Sequence, residues 1–162
     1  NTAAGSYSTV GGGNGNSAAY TSSTIAGGFG NFANGDRGAV GGGYDNSVGY
    51  SSTVSGGEEN SAGVYGTVGG GRDNFALYFG TVAGGDDNSA TSYSAAVGGG
   101  HNNAASGYVA FVGGGESNIA SAYAATVGGG YLNNAVSGSA WVGGGNNNVA
   151  SGYASAVSGG SA

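Results

Sequence analysis

Few side chains in this 162-residue sequence could do acid–base or ligand chemistry. His101 is the sole imidazole. A general base needs a positioned partner, and a hydrolytic triad also needs a nucleophile and an orienting carboxylate. His101 instead holds a variable position that Asn14, Tyr44 and Asn146 fill elsewhere, so it reads as a solvated turn residue and the chain as no enzyme. Four carboxylates, Asp45, Glu59, Asp73 and Asp87, recur one residue before an asparagine, with Glu58 and Asp86 one residue earlier. Clustered carboxylates suit Ca²⁺, which makes this column the one candidate metal site. Arg72 sits inside it as a local counterion, and a screened, solvated turn is the preferred reading. Runs of three glycines occur where a phosphate loop would have them, but such loops need a following helix and, in the Walker form, a lysine that this chain lacks. A row of Thr9, Thr24, Thr53, Thr67, Thr81 and Thr126 offers hydroxyls and methyls at regular spacing, interrupted by Ala39, Ala96, Phe111, Trp141 and Ala156. Such a row is what an ice-binding face would use, and it is also ordinary β-propensity on an exposed surface.

Composition narrows the classes further. Glycine supplies 41 residues and proline, cysteine and methionine none, with a formal net charge of −6. Without proline or a strict triplet the chain is not collagen. The two cations, Arg37 and Arg72, cannot build a phosphate-binding face, so nucleic acid is a poor partner. No apolar run nears the length of a membrane span, and no membrane insertion is expected within this segment. The opening Asn1-Thr2-Ala3 lacks an initiator Met and a signal peptide, which reads as a mature chain or a piece of a longer one.

What must position these residues is a repeat. A β-branched anchor followed by a small residue and two glycines recurs at Val10, Ile25, Val40, Val54, Val68, Val82, Val97, Val112, Val127, Val142 and Val157, at spacings of 14 or 15. Six residues after each of the first ten anchors stands an asparagine: Asn16, Asn31, Asn46, Asn60, Asn74, Asn88, Asn103, Asn118, Asn133 and Asn148. Two residues further comes alanine, or valine at Val48. Helical repeats need about 33 residues or more, and glycine costs about 1 kcal/mol against alanine at a helical position. Two short strands and two tight turns instead close one period into a flattened coil. The expected fold is therefore all-β, a parallel β-solenoid of about ten coils over residues 1–162, with no internal domain boundary.

Within each coil the anchor and the small residue two before it share the inner face, because strand side chains alternate. The asparagines are expected to form a structural ladder, each amide bonding the next coil and its own turn. An aromatic follows Asn by four or five residues at Tyr20, Tyr50, Tyr65, Tyr78, Tyr93, Tyr108, Tyr123 and Tyr153, a column expected to stack along the axis.

A coil of this length, rich in Gly, Ala, Ser and Asn with small inward residues, resembles the head repeats of trimeric autotransporter adhesins, and also the Asn-Gly-rich arrays of bacterial surface proteins and phage tail fibres. Asn46-Ser47-Val48-Gly49 matches in part the N-S-V-A-I-G signature of the adhesin heads, while the usual pattern here is Val-Gly-Gly-Gly with Asn six residues on. The resemblance implies a left-handed β-roll with three chains to a head. The expected function is a structural fibre or adhesin head segment, extracellular on a cell or virion surface. It would be non-catalytic, free of cofactors and self-associating, with a host or surface ligand as its other partner. The alternatives are a phage tail-fibre segment and an ice-binding β-solenoid. Self-association also follows from the thin interior, which buries one Val or Ile and a few small groups per coil.

Overall fold

A computed structural model describes residues 1–161. Twenty-two strands of two residues each alternate between two parallel sheets of eleven strands. One sheet begins at β1 (Thr2–Ala3), continues through β3 (Ser17–Ala18) and ends at β21 (Val149–Ala150). Its inward column is alanine, with Val48 the exception. The other begins at β2 (Thr9–Val10), continues through β4 (Thr24–Ile25) and ends at β22 (Ala156–Val157). Its inward column is the anchor valine or isoleucine.

Each strand pairs with its equivalent one coil on, as in Thr67 opposite Thr81 and Val68 opposite Val82. A third ladder of single-residue bridges runs from Asn14 through Phe29, Tyr44, Glu58, Arg72, Asp86 and His101 to Ser161. Eleven levels at a strand spacing of 4.7–4.9 Å make a rod roughly 48 Å long. The chain is a parallel β-solenoid.

The strands are short because the coil is. Two residues suffice to place one side chain inside and one outside. In a middle coil four side chains are buried, for instance those of Asn103, Ala105, Ala110 and Val112, at no more than 1% exposure. The position two before each anchor faces inward, as Ser23, Ser52, Ala95 and Ala125 show. Burying one valine and one alanine contributes about 2–4 kcal/mol per coil, so hydrogen-bond ladders must carry much of the cohesion.

Two turns close each coil. The asparagine turn leads from the valine sheet to the alanine sheet, and the variable turn leads back. Both contain a residue in the left-handed region, such as Asp45 (φ 48°) in the first and Ser94 (φ 54°) in the second. Left-handed φ reverses the direction of that residue's N–H. Strand N–H groups donate to the following coil, as Thr67 does to Gly80, whereas Asp45 N–H donates to Phe29 and Ser94 N–H to Tyr78, both in the preceding coil. The reversal gives these turn carbonyls a donor from the coil that follows them, so the backbone ladder does not lapse at the corners.

Candidate functional site

The asparagine column is the most fully bonded feature of the chain. Asn103 illustrates it. Its Nδ2 donates to Asn88 Oδ1 (3.0 Å), to the Gly99 carbonyl of its own turn (3.0 Å) and to the Gly115 carbonyl of the next coil (2.8 Å). Two N–H groups thus face three acceptors, and one bond is shared. Its Oδ1 accepts from the backbone N–H of Asn118 (3.0 Å) and from Asn118 Nδ2 (3.1 Å). The same set recurs at Asn31, Asn60 and Asn133. An amide is the side chain that offers a donor and an acceptor from one short stem, which is why glutamate, serine or alanine could not repeat this pattern.

Asn1 belongs to the column as well. Its Oδ1 accepts from Asn16 N–H (3.1 Å) and its Nδ2 donates to the Gly13 carbonyl (2.7 Å). Counting forward from anchors misses it, since no anchor precedes it, but its position fifteen residues before Asn16 is the signal that could have found it.

The acidic column lies at the same turn, on its outer side. Asp45, Glu59, Asp73 and Asp87 all occupy the left-handed seat, with φ between 48° and 56°, the seat held in later coils by Asn102, Ser117 and Leu132. Asp and Asn adopt this conformation more readily than most residues, so the backbone alone gives a reason for their recurrence. Among the described residues no three His, Asp or Glu side chains gather where they could hold a metal ion.

The charges act on one another instead. The neighbouring Asp73 carboxylate raises the Glu59 pKa above the ordinary glutamate value. Arg72 donates Nε and Nη2 to the two carboxylate oxygens of Asp86, both at 2.9 Å. That hydrogen-bonded pair lowers the Asp86 pKa and raises that of Arg72. Asp45 raises the Tyr44 phenol. His101 Nε2 stands 3.8 Å from Asp86 Oδ2 on an exposed surface, in the bridge column between Asp86 and Glu116.

The aromatic column forms at the variable turn with three corrections to its membership: among the described residues no ring stacks on Tyr20 or Tyr153, and Tyr78 gives place to its neighbour. Rings stack or lean in the order Tyr50, Tyr65, Phe79, Tyr93, Tyr108 and Tyr123, with centroids 4.5–5.7 Å apart. Phe79, not Tyr78, takes the place in its coil. Tyr78 stands four residues after its asparagine in a fourteen-residue coil, and Ser94 N–H donates to its carbonyl as Val109 N–H does to that of Tyr93, so it holds the backbone register of Tyr93 while its own ring joins no stack. Tyr50 also stands four after, and it meets Tyr65 edge-on at 85°. Its hydroxyl accepts a hydrogen bond from Arg37, whose guanidinium lies 4.8 Å from the ring centroid. A second, shorter stack joins Phe29 to Tyr44 at 5.4 Å in the bridge column.

The threonine row runs along the outer face of the valine sheet, where Thr53, Thr67 and Thr81 pair directly. Phe111 and Trp141 break the row further along, both more than two-fifths exposed. No helix among the described residues is long and apolar enough to cross a membrane. No protein-family model and no curated protein matches the chain.

Proposed function

We propose that this chain is a structural segment of a fibre or adhesin head on the outside of a cell or virion, acting through length, repetition and self-association and not through catalysis. The observation that carries this reading is the continuity of the asparagine ladder. Eleven asparagines share one hydrogen-bonded column from Asn1 to Asn148, buried from Asn16 onward and built alike from Asn16 to Asn133. A repeat array of this kind is extended by adding coils, since each coil contacts only its neighbours. Residues with chemical potential, among them His101 and Asp87, stand at outward turn positions without distorting the coil that bears them.

Self-association is supported by what the rod leaves uncovered. Phe32, Phe111, Ile119, Leu132, Trp141 and Val149 are all more than a third exposed on a chain whose interior is thin. Side-by-side packing of three chains, as the resemblance to adhesin heads suggests, would cover such residues, and so would a tail-fibre bundle. Sedimentation velocity over a dilution series tests the reading, together with negative-stain imaging. The expected result is an assembly that persists to low concentration and images as a thin rod or capped head. A folded, heat-stable monomer at low micromolar concentration overturns it. Thermal hysteresis in chilled solution would favour the ice-binding alternative, for which the paired Thr53, Thr67 and Thr81 are the supporting residues.

A further inference from the structure

The sequence has no cysteine and no lysine, so neither a disulfide nor a lysine-derived bond can tie one coil to the next. It has eleven tyrosines, whose rings couple to one another under one-electron oxidation. Three of them stand in an unbroken run. Tyr93 and Tyr108 are stacked with centroids 5.4 Å apart and planes 6° from parallel, and Tyr108 and Tyr123 with centroids 5.7 Å apart and planes 7° from parallel. Near-parallel stacking at this separation sets neighbouring phenol rings alongside one another. All three rings are 45–62% exposed. Among the described residues their hydroxyls take no protein partner, which leaves the outer edge open to an oxidant and the side-chain torsions free to close the remaining distance.

We propose that the Tyr93–Tyr108–Tyr123 run is a site of oxidative coupling, where a haem peroxidase with hydrogen peroxide forms a dityrosine bond between adjacent coils of one chain. Each of two phenols gives up one electron and one proton to become a phenoxyl radical. The radicals join through the ring carbons beside the oxygens, and the hydrogen displaced from each carbon returns to its oxygen, restoring two phenols. Hydrogen peroxide takes up the two electrons and two protons and leaves as two waters. The chain becomes lighter by two hydrogens and gains a covalent staple across fifteen residues, which restrains the unfolded chain as a disulfide would.

The rest of the column bounds the site. Phe79 lacks a phenol and separates Tyr65 from Tyr93, while Gly138 leaves a gap between Tyr123 and Tyr153. Tyr50 and Tyr65 meet edge-on, so their rings do not lie alongside one another.

The test is to treat the full chain with a haem peroxidase and hydrogen peroxide, then to separate chains under denaturing conditions and measure mass, dityrosine fluorescence and the linked fragments. The expected product has single-chain mass less two hydrogens, with Tyr108 linked to Tyr93 or Tyr123. Tyr108→Phe should abolish it, and Phe79 shows that the column accepts phenylalanine without loss of the stack. Tyr131→Phe, which removes a tyrosine flanked by Glu116 and Asn146 in its ladder, should leave the product unchanged. Phe79→Tyr should add a link to Tyr65 or Tyr93. Products only of multiple-chain mass, absence of dityrosine, or an undiminished single-chain link in Tyr108→Phe would each overturn the proposal. Because the link is scored within separated chains, the outcome is independent of whether the chains assemble.

Discussion

The two turns of each coil solve one problem in different ways. Both reverse the chain, and both send a left-handed residue's N–H back to the preceding coil. The variable turn then closes on itself, its fourth residue donating a backbone N–H to the carbonyl of its first, as Ala110 does to Gly107 at 3.1 Å and Ala125 to Ala122 at 3.1 Å. No particular side chain is needed, so Tyr20, Gly35, Leu77, Ser92 and Ala122 can all begin it. At the asparagine turn two glycine carbonyls, one from its own coil and one from the next, accept from a buried amide. One turn is closed by backbone in most coils and by the Ser52 hydroxyl on Gly49 in another, and it varies. The other depends on a side chain, and that side chain does not vary.

Glycine follows the same division. The third glycine of each run, such as Gly100 at φ 91°, sits against the next coil, where a Cβ would overlap the Gly115 carbonyl oxygen. Gly100→Ala is therefore the change expected to separate the turns most. Overpacking at about 1–3 kcal/mol and a left-handed penalty of about 1–2 kcal/mol together predict a loss of about 2–5 kcal/mol in denaturant unfolding. A midpoint equal to wild type would mean that the close approach of coils at this turn is not required.

Asn103→Ala comes next. It leaves the Gly99 carbonyl without its amide donor and the Gly115 carbonyl with the His101 N–H alone, and it removes the acceptor of Asn118, at a cost of about 1–3 kcal/mol. Asn88→Ala should cost the same, since its bonds are the same set. Unfolding midpoints unchanged at both sites would remove the ladder from the account of stability.

Deleting Ser106 probes the variable turn and should do far less. Coils of fifteen residues carry one more residue than coils of fourteen between the alanine strand and this turn. In the longer coil Ser106 and Gly107 both donate to the Ala120 carbonyl, at 2.9 and 3.2 Å, while in the shorter coil Gly49 alone donates to Ala62. The extra donor is redundant, and the deletion should change stability by no more than about 1 kcal/mol, the scale of small changes in loop length. A loss comparable to that of Asn103→Ala would dissolve the distinction between the turns.

The smallest effect is expected from pH, at the outer side of the asparagine turn. Glu59 has a raised pKa, so the folded chain binds its proton more tightly than the unfolded chain does, and stability grows as pH falls through the raised value. Asp86 has a lowered pKa, so its pair with Arg72 stabilises above the ordinary aspartate value and is lost as pH falls through the lowered one. A slight rise in stability just above the usual carboxylate range, then a decline below it, is the expected profile. Glu59→Gln should remove the rise and keep the decline. Glu59 is exposed and Asp86 about one-third exposed, so salt should flatten the profile.

The period, the sheet-forming strands, the inward alanine and valine columns and the asparagine column are all legible in the sequence. Each is a local constraint repeated in every coil: two-residue alternation for the strands, glycine for the turn, one invariant amide for the inward carbonyls. Repetition makes such constraints readable because neighbouring coils must agree in order to pair. Three things were decided only when coils stacked. The ring column took Phe79 over Tyr78 although Tyr78 holds the backbone register of Tyr93, because rings meet where the side chains lead them and the count along the chain does not fix that. The acidic column proved to be a set of left-handed backbone seats, a conformation that also holds Ser117 and Leu132 and leaves no compositional mark. Asn1 joined the ladder because a hydrogen bond reaches across space from Asn16, fifteen residues on, where no anchor in the chain precedes it.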